Sequence, residues 1–171
     1  MGKENGLKLH LDSHSNLVSF GTIASNYKGF QMFLGTPTEF PALKEKSYKI
    51  LPGHGNIVEV TAYRVTSENS VKDLEPSERK CYFPDEYHLD FHVNYTYTSC
   101  KFECAIKVAE SRMGCIPWYM PQRNNYETCD PWDTRKFLEE MEQAKMSSCP
   151  SCLPDCQTIK YRSVLNTAPF R

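Results

Sequence analysis

The chain has 171 residues, of which 40% are hydrophobic and 24% charged, and its net charge is −1. This is the composition of a folded protein of about one domain, not of a disordered tail. A near-neutral chain without a basic run lacks the positive surplus that phosphate binding needs, so no nucleic acid is expected as a partner.

The first residues, MGKENGLKLH, have no apolar core for a secretory signal, and Gly6 stands where the myristoylation pattern needs Ser or Thr. No stretch reaches the roughly 20 apolar residues of a membrane helix. Leu7, Leu9 and Leu11 alternate with Lys8, His10 and Asp12, which predicts a half-buried strand. A second strand is predicted over residues 29–34, ended by Gly35 and Pro37. Residues 48–51 lead into the turn Pro52-Gly53-His54-Gly55. Residues 57–65, rich in β-branched side chains, give the best strand pattern in the chain. Residues 1–80 therefore read as a β region, poor in apolar anchors by itself.

Residues 81–156 hold all eight cysteines and two helix patterns. The first helix is predicted over 99–112, with Ser99 as its N-cap and Gly114 as its stop. Cys100, Cys104 and Val108 share one face of it. The second is predicted over 131–146, with Asp130 as N-cap, Pro131 at the first helical position and Asp133 in the first turn. Phe137, Met141 and Ala144 line its apolar side, while Arg135 with Glu139 and Lys136 with Glu140 are predicted ion pairs. Residues 157–171 return to a β pattern, clearest over 158–164. The fold class is α+β, organised as 1–80, 81–156 and 157–171.

An even cysteine count in one segment predicts a disulfide framework in an oxidising compartment. The sequon Asn94-Tyr95-Thr96, a candidate glycosylation site, agrees with that compartment. With no signal sequence, these features predict a fragment of a longer chain. The rival is a zinc site built from Cys149-x2-Cys152 and Cys100-x3-Cys104, but it leaves Cys81, Cys115 and Cys129 without close partners. A thioredoxin-type role for Cys149-Pro150-Ser151-Cys152 is weaker still, because a helix precedes it and Pro154 follows. His88 and His92 are four apart, but no His-Glu-x-x-His pattern is present, and they read as surface histidines. No nucleophile elbow, phosphate loop or dinucleotide fingerprint is found, so neither enzyme activity nor a cofactor is expected. Tyr82, Phe83, Tyr87, Phe91, Tyr95 and Tyr97 read as packing aromatics, and Trp118 and Tyr119 as a loop packed by its own rings.

Antiparallel neighbouring helices would bring the chain leaving the second back past the first. Later cysteines would then pair with earlier ones: Cys104 with Cys149, Cys100 with Cys152 and Cys81 with Cys156. Cys115 and Cys129 would close the loop between the helices.

The cysteine region resembles the thumb of the degenerin/epithelial sodium channel family. The resemblance rests on Arg79-Lys80-Cys81, on YTYTSCKFEC from Tyr95 to Cys104, on Gly114-Cys115-Ile116-Pro117-Trp118-Tyr119-Met120-Pro121, and on Cys149, Cys152 and Leu153-Pro154-Asp155-Cys156 with Ile159-Lys160-Tyr161. LPDCQTIKYRS and the final APFR look most like the pickpocket branch. Gly6-Leu7-Lys8-Leu9-His10-Leu11 looks like a family strand, and Pro52-Gly53 like the family's pre-thumb turn. The resemblance implies trimeric, amiloride-sensitive channels that pass sodium ions across the plasma membrane. It maps 1–80 to partial palm and β-ball strands, 81–156 to the thumb and 157–171 to a returning palm strand, on the extracellular side. It also implies other channel subunits as partners, and membrane helices outside this chain. The same nested cysteine pairs follow from it.

This sequence departs from the family at three places. Met113-Gly114-Cys115 stands where a Cys-x-Cys is usual, and no cysteine lies between Cys129 and Cys149, so one staple is lost with both its members. Arg79 replaces an aromatic that touches the first membrane helix in some relatives, so that contact is not carried over. The membrane helices and selectivity segment are missing. The alternative to a channel fragment is a secreted cysteine-rich binding module.

Overall fold

A computed structural model of the chain describes residues 5–14, 29–37, 39, 41, 47–121, 126–147 and 149–170; of residues 145–147 it describes the backbone alone. The elements in order are β1 (Phe30–Phe33), β2 (Ser47–Ile50), β3 (His54–Val65), a 3-10 turn (Asn69–Asp73), α1 (Pro76–Arg79), α2 (Tyr97–Met113), β4 (Cys115–Ile116), β5 (Glu127–Thr128), α3 (Pro131–Ser147) and β6 (Thr158–Pro169). This is an α+β fold stapled by disulfides.

β1 and β2 form an antiparallel pair, with Phe30 opposite Ile50. The dominant ladder joins β3 to β6 antiparallel over their whole length, from His54 opposite Pro169 to Val65 opposite Thr158. The helices are therefore an excursion that leaves one end of this ribbon after Val65 and returns to the same end at Thr158. The Tyr48 hydroxyl meets Ser163 Oγ, which ties β2 to β6.

Gly53 adopts φ 71°, a left-handed conformation that glycine enters without steric cost, and the chain turns there into β3. His54 and Gly55, predicted as turn residues, already belong to the strand. From Glu59 to Val65 every residue of β3 is exposed, on both faces of the ribbon.

The helices hold the core. Phe102, Ala105, Ile106 and Ala109 of α2 pack with Phe137, Met141 and Ala144 of α3, and with Cys115, Ile116 and Cys129 of the connecting loop. Their spacing of three and four residues puts each set on one helix face. Ala105, Ala109 and Ala144 are fully buried, and such small side chains let two helices approach closely. A second cluster, Leu89, Tyr95, Cys100, Cys149 and Cys152, lies nearer the ribbon, with Tyr82, Tyr87 and Cys104 packed against it.

Several expectations are corrected. Residues 7–11 form no strand: Leu7, Leu9 and Leu11 are 87%, 63% and 54% exposed. Alternation alone cannot make a strand when no other strand among the described residues pairs with it. α2 starts two residues earlier than predicted. Thr96 is its N-cap, accepting from the Ser99 amide, while Ser99 is a buried residue of the first turn. Lys136 pairs with Asp133 at 3.2 Å, and Glu140 pairs with Arg112 of α2 at 2.5 Å. The Arg135–Glu139 pair forms, at 3.3 Å. Asp130 caps α3 by accepting from the amides of Trp132 and Asp133, each at 2.8 Å. Gly114 ends α2 at φ 69°, its amide donating to Glu110 O at 2.9 Å.

Candidate functional site: the junction of helices and ribbon

All eight cysteines are in bridges. The pairs are Cys81–Cys156, Cys100–Cys152, Cys104–Cys149 and Cys115–Cys129, closing sequence separations of 75, 52, 45 and 14 residues. Three of them tie the segment between α3 and β6 back to α2 and to the residues just after α1. Cys81 lies just after α1, and Cys156 lies two residues before β6. Around that bridge the two segments run parallel for one step: the Tyr82 amide donates to Pro154 O and the Cys156 amide donates to Tyr82 O, both at 2.9 Å. Ser67 Oγ, just past β3, donates to Cys156 O at 2.7 Å.

One side chain fastens the linker from β3 at several points. Arg79, whose side chain is 2% exposed, donates from Nη1 to Leu74 O at 2.8 Å, Lys72 O at 3.3 Å and Val71 O at 3.4 Å. Its Nε donates to Cys81 O at 3.1 Å, its Nη2 meets Glu86, and its guanidinium lies 5.0 Å from the Phe83 ring centre. A planar fork of five donors can serve several acceptors at once, which an ammonium cannot. The sequence marked Arg79 as part of the Arg79-Lys80-Cys81 motif and as a departure from an aromatic, not as a clamp. Its spacing to Leu74, Cys81 and Glu86 carries no pattern that would reveal the clamp.

The start of α2 is pinned from the far end of the chain. Tyr95 is buried in an edge-to-face cluster with Tyr82 and Tyr87, and its hydroxyl donates to Leu153 O at 2.5 Å. Asp155 Oδ1 accepts from the Tyr97 amide at 2.9 Å, so a carboxylate sits at the helix N-terminus where the dipole favours it. Burial nonetheless holds Asp155 above the ordinary carboxylate range, with the Glu39 charge adding to it against the Tyr97 hydrogen bond and Lys160. Burial, with the Asp155 charge behind it, also raises the Tyr95 phenol. Tyr97 itself points outward, 39% exposed, which corrects its reading as a packing residue.

A second anchor is Glu103, 1% exposed. Its carboxylate accepts from the amides of Asp90 and Phe91, at 2.7 and 2.8 Å, and meets His92 Nδ1 at 2.8 Å. His92 is thereby part of a loop anchor, while His88 is exposed. Asn94 is exposed beside the fully exposed Val93. Trp118 and Tyr119 pack edge to face, with ring centres 5.5 Å apart, yet remain 75% and 48% exposed. Their loop is self-packed only in part.

The arrangement is a cross-linked connection between a helical pair and a two-stranded ribbon. The sequence model of the amiloride-sensitive sodium channel family matches residues 1–171. This chain belongs to that family. Among its relatives are Pickpocket protein 28 of Drosophila melanogaster, 26% identical over 160 residues, and the sodium channel protein Nach of Drosophila virilis, 22% identical over 165 residues. Pickpocket protein 19 of Drosophila melanogaster is 20% identical over 187 residues. The alignments take in 91%, 94% and 96% of this chain but only 26%, 42% and 35% of those proteins. The chain thus spans less than half the length of the curated relatives it matches. The family is one of ion channels, not enzymes, at the plasma membrane. Among the described residues no helix is long and apolar enough to cross a membrane.

Proposed function

We propose that this chain is the extracellular portion of a pickpocket-like, amiloride-sensitive sodium channel subunit, part of a longer protein whose remainder carries the pore. The observation that carries this reading is the family match along residues 1–171. In it, residues 1–80 contribute palm and β-ball strands, 81–156 the thumb and 157–171 the returning palm strand. The subunit assembles with others as a trimer and conducts sodium ions in response to a stimulus. The exposure of both faces of β3 and of Leu7, Leu9 and Leu11 supports the reading, since such apolar surface is ordinarily covered by further protein.

The proposed mechanism is mechanical. The three bridges at the junction oblige the helices and the ribbon end to move as one lever. The test is heterologous expression of the full-length protein with amiloride-blockable sodium current as readout. Replacing Cys100 and Cys152 together by Ser is expected to alter gating at unchanged surface abundance. Unaltered currents at normal surface abundance would overturn the lever. The secreted binding module is not favoured by the relatives, and it predicts no current in any subunit combination.

A further inference from the structure

Asn94 is exposed, but the two residues that complete its acceptor motif are not available in the folded chain. Tyr95 is 2% exposed, its amide donates to Pro84 O at 2.9 Å, and its hydroxyl is held by Leu153. Thr96 Oγ1 accepts from the Ser99 amide at 3.1 Å and donates to Ser99 Oγ at 2.8 Å. The next amide, Tyr97, is bound by Asp155. N-glycan transfer needs the Asn amide and the hydroxyl two residues on to be bound together by the transferase. Here that hydroxyl caps a helix, and the intervening tyrosine is a core residue.

We infer that Asn94 accepts an N-linked glycan, and that its motif is open only until the Cys100–Cys152 and Cys104–Cys149 bridges close. This rests on the reading of the chain as extracellular. In the transfer, Asn94 Nδ2 attacks C1 of a lipid-linked oligosaccharide diphosphate. The C1–N bond forms, the C1–O bond to the diphosphate breaks, the lipid diphosphate leaves with the electron pair, and the amide proton goes to a base of the transferase.

The order of synthesis sets the window. Leu153 follows Tyr95 by 58 residues. At about 5–20 residues per second, the motif precedes its lock by roughly 3–12 s. Disulfide closure, which takes seconds to hours, then decides how much longer the motif stays open. Cys149 and Cys152 both precede Leu153, and their bridges tie its segment to α2, which begins two residues after Tyr95, so oxidation rather than chain arrival ends the window.

The experiment translates the full-length protein into endoplasmic-reticulum microsomes, with the transferase blocked by excess acceptor tripeptide. The chain is oxidised, the tripeptide is washed out, and half the sample is reduced with dithiothreitol before transfer resumes. Endoglycosidase-sensitive mobility, assigned with Asn94→Gln, is the readout. Leu7→Thr in the Asn94→Gln background creates an acceptor at Asn5 in an exposed segment and reports lumenal location. Asn94 is expected to be modified about tenfold more in the reduced sample, as for a site released by local unfolding. The Asn5 acceptor is expected to be modified equally in both. Equal modification of Asn94 in both samples, or none while Asn5 is modified, overturns the inference. Absence of modification at Asn5 as well overturns the extracellular reading, and this inference with it.

Discussion

The Arg79 guanidinium reaches the carbonyl of Leu74 at 2.8 Å from within the fold, and the same group meets the Glu86 carboxylate. One side chain thus fastens both the linker from β3 and the segment after Cys81. Arg79→Ala is expected to destabilise the chain by about 2 kcal/mol, because it removes the donors that join several linker carbonyls and the Glu86 carboxylate. Arg79→Lys should recover less than half of that, since a point charge cannot serve the separate acceptors. Denaturant unfolding of the two variants checks the order; a full rescue by Lys would mean that charge alone matters.

The four bridges differ in access. Cys100 and Cys104 line an open cleft with Tyr87, His88, Lys107 and Ser151. Cys115 and Cys129 lie in the main core. Thiol exchange requires an approaching thiolate, so mild reductant should open Cys104–Cys149 before Cys115–Cys129. Differential alkylation followed by mass spectrometry reads the order.

Glu103 accepts from two backbone amides and meets an imidazole nitrogen. Glu103→Gln puts an amide donor among donors and is expected to cost about 2 kcal/mol. Hydrogen exchange at the amides of Asp90 and Phe91 should quicken, while exchange in α3 stays unchanged.

Asp155 has its folded-state pKa raised, chiefly by burial. An acid with a raised pKa binds more protons folded than unfolded, so stability falls as pH rises from the unfolded value through the folded one. Asp155→Asn, which keeps an oxygen for the Tyr97 amide, is therefore expected to be the more stable at pH 7. The difference should shrink as pH falls below the ordinary carboxylate range of about 4. Thermal unfolding against pH tests this, and a wild-type advantage at neutral pH would refute it.

Much of the helical part was legible in advance. Phe137, Met141 and Ala144 announce their face by spacing, and Asp130 and Gly114 mark helix ends by capping chemistry that acts over a few residues. The strand at 57–65 was legible because β-branched side chains suit a pleated backbone. The errors lie where a distant partner decides. Thr96 and Ser99 are both good caps, and the Tyr97 amide that sets the helix start is bound by Asp155, far along the chain. Glu103 left one signal, a carboxylate three residues from Cys100 on a helix that buries that side, but nothing local pointed to the amides of Asp90 and Phe91. Leu7, Leu9 and Leu11 have the alternation of a strand, and a strand exists only with a partner.

The sequence by itself determined the class, the family, the two helices and the concentration of cysteines, because these follow from composition, short-range periodicity and motif order. Tertiary structure alone decided that β3 and β6 are paired throughout, that Arg79 turns inward, and that Tyr95 and Thr96 are locked while Asn94 faces solvent. Those outcomes depend on hydrogen bonds between residues far apart in the chain, and such contacts become specified only when the bridges and the helix pair bring the segments together.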